Sequence, residues 1–189
     1  MNATPLAPLP EVLLLEPRMF HDARGHFVET WQRERYAALG VPGDFVQDNV
    51  SVSRGAVLRG LHFQHPAAQG KLVSVLRGRV FDVAVDVRRG SPTFARWVGA
   101  ELDDVEGRQL WIPPGFAHGF VTLSDDVVFA YKCTTAYVAA ADRVIAWDDP
   151  TIGIRWPVAA PSLSAKDAAA PRLGALPPEA LPTWTPGPA

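Results

Sequence analysis

The sequence contains a single cysteine, Cys133, among 189 residues. One thiol cannot close an intramolecular disulfide, so packing alone must hold the fold, and a reducing compartment suits the chain. No 18 apolar residues run together, and "MNATPLAPLPEVLLLEP" has no basic start followed by a long apolar stretch. Neither a membrane span nor a secretory leader is therefore expected, which points to the cytoplasm. Charge of one sign is also missing. The 18 Lys and Arg against 20 Asp and Glu leave a formal net charge of -2, with no long run of either kind. Nothing there attracts nucleic acid or an anionic membrane broadly, so an anionic ligand must be held by local charges. Repeats are absent, and helical periodicity is nearly so.

What is present is alternation. With 48% apolar residues the chain can bury one sizeable core, and a single domain over residues 1–189 is expected. The opening ten residues and the tail from about Pro157 are rich in Pro and Ala and read as extended covering segments. Between them, runs such as "DFVQDNVSVS", "VLRGLHFQ", "KLVSVL", "RVFDVAVDVR", "RQLWIPP" and "VVFAYKCTTAY" recur at the spacing of a sandwich or barrel. In "VFDVAVDVR", period two puts Phe81, Val83, Val85 and Val87 on one face and Asp82, Ala84 and Asp86 on the other. Arg77 and Gly78 are read as a hairpin turn joining "KLVSVL" to that strand. The one helix expected is residues 32–40, with Gly40 as its stop. Many short strands and almost no helix predict an all-β jelly roll or comparable barrel with short flanking helices.

The stretch "RGLHFQHPAAQGKLVSV" concentrates proton carriers and cations: Arg59, His62, His65 and Lys71. Strict alternation sends Arg59 and His62 to opposite faces, but Gly60 between them is suited to a bulge that would aim both into one cavity. Lys71 opens the following strand and His118 ends the turn "PPGFAH", which could bring three cation-capable groups to one barrel mouth. The pattern Pro-x-Gly-x-x-His in "WIPPGFAH" is similar to the cupin barrels, in which such histidines often ligate a metal. Here the usual His-x-His and downstream Glu are missing, and His62 and His65 are three apart on a strand, a poor chelating pair. No metal is expected; His65 is read as an exposed bend residue and Cys133 as a small buried hydrophobe.

Seven segments, "VLRGLHFQ", "AQGKLV", "GRVFDVAVDVRRGSPTFARWVG", "RQLWIPPGFAHGF", "YKCTTAY", "WDDPTIGIRWP" and "LSAKD", resemble the dTDP-4-dehydrorhamnose 3,5-epimerase family, in order, from about Glu16 to Asp167. The resemblance implies a cupin-like jelly-roll β-barrel that needs no cofactor, forms a homodimer and acts on a dTDP-4-dehydro-6-deoxy sugar. It makes His62 the base, Asp167 the carboxylate that orients it, Tyr131 the opposing proton donor and Lys71 the stabiliser of the enolate oxygen. It also places Arg24, Phe27, Glu29, Gln47, Asn49, Arg59, His118, Tyr137, Asp142 and Lys166 near the nucleotide and sugar. Read alone, Arg24 and Glu29 are surface charges, and Phe27 and Tyr137 are packing residues. Asp142 stands where the family commonly has Glu, and "AYVAAAD" lacks a proline often found there. The rival readings are a carbon 3 epimerase, a metal-dependent cupin enzyme and a noncatalytic sugar-binding barrel.

Overall fold

In the computed structural model, which describes residues 1–186, two antiparallel sheets face one another and enclose the core between them. The six-stranded sheet runs β1 (Asn2–Leu6), β2 (Leu9–Glu16), β10 (Gln109–Ile112), β7 (Lys71–Arg77), β12 (Asp126–Cys133) and β5 (Gln47–Arg54). The five-stranded sheet runs β13 (Asp142–Val144), β6 (Leu58–Gln64), β11 (Phe116–Thr122), β8 (Arg79–Asp86) and β9 (Trp97–Asp103). A separate two-stranded ribbon, β3 (Met19–Asp22) and β4 (Gly25–Val28), completes the strands. This is the expected all-β jelly roll.

The alternation of β8 is realised as read. Val80 and Ala84 face the space between the sheets with Val73, Val75, Leu110, Phe120 and Phe129. Val83, Val85 and Val87 pack on the opposite face with Ile145, Ile152, Leu173 and Leu181. The C-terminal tail is thus a cover, but one whose leucines enter the core. Each such side chain contributes about 1.5–3 kcal/mol on burial.

Three expectations are corrected. Arg77 and Gly78 do not form a hairpin: β7 pairs with β10 and β12, whereas β8 pairs with β11 and β9. The chain crosses between sheets at Gly78, whose φ of +84° is in the left-handed region. The opening residues are not a loose cover, because β1 and β2 form a hairpin inside the larger sheet and Leu9, Val12 and Leu15 are fully buried. "EVLLLEP" is consequently an inner strand, shielded by β1 on one side and β10 on the other. Lastly, the helix α1 is Arg33–Ala37, shorter than residues 32–40. Gln32 caps it by accepting from the Arg35 amide, and Gly40, at φ +91°, closes the turn behind it. The helix buries Tyr36 against Leu15, Leu72 and Trp111, and the phenol donates to Gln109 Oε1 at 2.6 Å.

Candidate active site

The site begins with a bulge. On β6 and β11, His62 is opposite His118 and Arg59 is opposite Phe120, so Gly60 and Leu61 together face Gly119 alone. The two backbones approach so closely that a Cβ on Gly60 would lie 2.6 Å from Gly119 Cα, and Gly60 has φ +136°. Only glycine tolerates both conditions. The extra residue sends Leu61 into the outer apolar cluster and turns both Arg59 and His62 into the cleft.

The cleft has two arms, of about 230 and 130 Å³, and His62, Lys71, Tyr131 and Lys166 line both. Arg59, His118 and Asp167 belong to the larger arm. Gln47, Asn49, Tyr137 and Asp142 belong to the smaller.

His62 Nε2 lies 2.6 Å from Asp167 Oδ1. The carboxylate reaches it because the tail docks on β6: Ser162 pairs with Val57, its amide donates to Ala56 O and its carbonyl accepts from the Leu58 amide. Ser164 then caps the short helix α2 (Ala165–Ala168), accepting from the Asp167 amide at 3.1 Å. Burial acts to raise the Asp167 carboxyl, but the hydrogen bond and charge of His62 outweigh it and hold the group below its ordinary value. Asp167 is enclosed while the His62 side chain keeps 33% exposure, so the ring remains reachable from the cleft.

Lys71 is buried at the start of β7, across from Cys133 on β12. Burial lowers its pKa, opposed by Cys133 and by the carboxylates of Asp82 and Asp142. Tyr131 is half-buried on β12, and burial with the neighbouring Cys133 raises its phenol, which keeps the hydroxyl protonated. Arg59 is steadied by the edge of the facing sheet, with Nε donating to Ser53 Oγ and Nη2 to the Val52 carbonyl, each at 3.1 Å. Asp142 Oδ2 accepts from the Tyr137 hydroxyl at 3.1 Å and from Lys166 Nζ at 2.5 Å.

Some residues lie where the sequence did not suggest. His118 is inside β11 rather than at the end of a turn. It forms a second histidine and carboxylate pair, with Nε2 2.9 Å from Asp82 Oδ2, and its ring stacks on Phe129 at 6.1 Å. Burial pushes this imidazole down and the Asp82 carboxyl up, and in each the charge and hydrogen bond of the other group oppose the shift. Asp82 was missed as a site residue, because β8 also carries Arg79 and Asp86 and its alternation does not mark which carboxylate meets a histidine. His65 is half-buried at the bend and outside both arms.

Three expected contacts are not brought to the cleft within one chain. Arg24 and Phe27 are on the β3–β4 ribbon, where Arg24 pairs with Asp22 and Phe27 is 68% exposed. Glu29 pairs with Arg35 at 2.5 Å. Among the described residues no three His, Cys, Asp or Glu side chains cluster so as to hold a metal ion. No helix among them is long and apolar enough to cross a membrane.

Residues 7–175 match the profile of the dTDP-4-dehydrorhamnose 3,5-epimerase family. The Salmonella typhimurium enzyme of that name is 55% identical over 168 residues, covering 87% of this chain and 92% of its own. The crystal structure of a Legionella pneumophila 3,5-epimerase with dTDP-4-keto-L-rhamnose superposes with a TM-score of 0.94 at 49% identity, covering 98% and 99% of the two chains. A 3'-monoepimerase from Streptomyces bikiniensis, bound to dTDP-quinovose, gives 0.87 at 35% identity, with 95% and 92% covered. The chain is a member of the dTDP-4-dehydrorhamnose 3,5-epimerase family.

Proposed function

We propose that the protein inverts carbons 3 and 5 of dTDP-4-dehydro-6-deoxy-D-glucose, giving dTDP-4-dehydro-L-rhamnose without a cofactor. The ketone at carbon 4 acidifies the hydrogens at carbons 3 and 5, since loss of either leaves an enolate whose charge rests on the ketone oxygen. His62 takes the proton, and Asp167 stabilises the imidazolium formed. Tyr131 delivers a proton to the opposite face, and Lys71 meets the developing oxyanion. Arg59 suits the diphosphate, because its fork presents two donors to phosphate oxygens. His118, Gln47, Asn49, Tyr137, Asp142 and Lys166 complete the walls. The observation that carries the reading is the cleft in which a carboxylate-bound histidine, a buried lysine and a protonated tyrosine meet. Incubation of the pure protein with that substrate in deuterated water, followed by NMR, should show deuterium and inversion at both carbons. Inversion at carbon 3 alone would make it a monoepimerase, and loss of turnover to a chelator with recovery on adding a divalent ion would favour a metal-dependent enzyme.

The same reading includes a homodimer working in the cytoplasm. Val50 and Val52 on edge strand β5 and Leu76 on β7 expose more than half their surface on one outer face, with Val128 and Ala130 between them. Such an edge is suited to a second copy. Arg24 and Phe27, remote from their own cleft, would then serve the partner's. Cys133, buried and unpaired, suits a reducing compartment.

A further inference from the structure

Tyr137 is 55% exposed, so packing does not fix it, yet it forms part of the smaller arm. Its backbone is fixed instead by glutamine side chains from three different segments. Gln47 Oε1 on β5 accepts from the Tyr137 amide at 2.8 Å. Gln64 on β6 accepts from the Val138 amide through Oε1 at 2.7 Å and donates through Nε2 to the Ala136 carbonyl at 3.3 Å, straddling the tyrosine. Gln69, on the bend after β6, donates to the Thr135 carbonyl at 2.5 Å. A carboxamide is the side chain that can donate and accept at once, which is what gripping successive peptide groups requires.

Gln64 is the centre of this grip. It is 4% exposed, and its remaining donor capacity goes to the Ala67 carbonyl at 2.8 Å, so the whole amide is spent on backbone. It also lies two residues beyond His62 on the same strand face, so the strand that carries the base carries the clamp as well. We propose that Gln64, backed by Gln69, is a positioning residue that presets Tyr137 in the cleft wall for the substrate, acting on binding rather than proton transfer. The proposal rests on the reading that the dTDP-sugar occupies this cleft.

Methionine matches glutamine in length and lacks its donors and acceptors. Gln64→Met should raise KM for dTDP-4-dehydro-6-deoxy-D-glucose about fivefold and change kcat less than about twofold. Gln64 itself lines the smaller arm, so a Tyr137→Ala background is the control: there the same substitution should add no further rise in KM, as a clamp acting through that ring requires. An equal rise in both backgrounds, a fall in kcat at unchanged KM, or a wild-type KM in Gln64→Met would overturn the clamp. A wild-type KM in Tyr137→Ala alone would take the tyrosine out of the binding wall and overturn the clamp, whereas no turnover of the dTDP-sugar by the wild type would overturn the reading beneath it. If Gln64→Met does not fold, Gln69→Met is judged by the same criteria.

Discussion

His62 and Asp167 are 105 positions apart in sequence and 2.6 Å apart in space. Replacing the carboxylate with an amide keeps the shape and removes the charge that fixes the imidazole tautomer. Asp167→Asn should therefore lower kcat by about 10²- to 10⁴-fold, measured as the initial rate of epimerisation. The same pair contributes to stability in a pH-dependent way. Because the folded-state pKa of Asp167 is depressed from 3.8, its contribution is present above that value and is lost as pH falls through the lower folded one. Urea unfolding should find the wild type more stable than Asp167→Asn at pH 7 and the gap narrowed at pH 3; an equal gap at both would contradict the assignment. His62, Lys71 and Tyr131 were legible in the sequence because their types fit the chemistry within recognisable segments. Asp82 was not, since a strand aspartate marks solvent as readily as a buried partner until the facing histidine is known.

Alternation carried most of the strands, as β8 demonstrates, because one side-chain face against another leaves a period of two wherever a sheet packs. It carried less at the ends. Pro5, Pro8 and Pro10 disguised the β1–β2 hairpin, and three residues of β13 are too few to leave a pattern. Which sheet a strand joins was not legible at Gly78, since a left-handed glycine serves a hairpin or a crossing between sheets equally well. The Gly60 bulge is the element on which the site depends. Gly60→Ala would force a Cβ to within 2.6 Å of Gly119 Cα at a φ that costs an L-residue about 1–3 kcal/mol even without the clash. A lowered melting temperature together with loss of turnover is expected. Wild-type values of both would show that the bulge does not aim Arg59 and His62.

At the scale of the whole molecule, the barrel holds the candidate cleft but leaves Arg24 and Phe27 on an outlying ribbon. In solution the protein should scatter near 41 kDa, twice the chain's 20.5 kDa. Mixed dimers of Arg24→Ala and His62→Ala chains test whether the ribbon acts across the interface. If it does, one cleft of each mixed dimer keeps its own His62 and receives an intact Arg24, so mixing restores activity. No gain on mixing would confine Arg24 to its own chain. If His62 and Tyr131 serve opposite faces of the sugar, deuterium exchange and inversion can be separated, and NMR of the substrate in deuterated water reads both at once. His62→Ala should exchange neither carbon 3 nor carbon 5, while Tyr131→Phe should retain some exchange and lose inversion. Exchange at carbon 3 near the wild-type rate in His62→Ala, or full inversion by Tyr131→Phe, would contradict these roles.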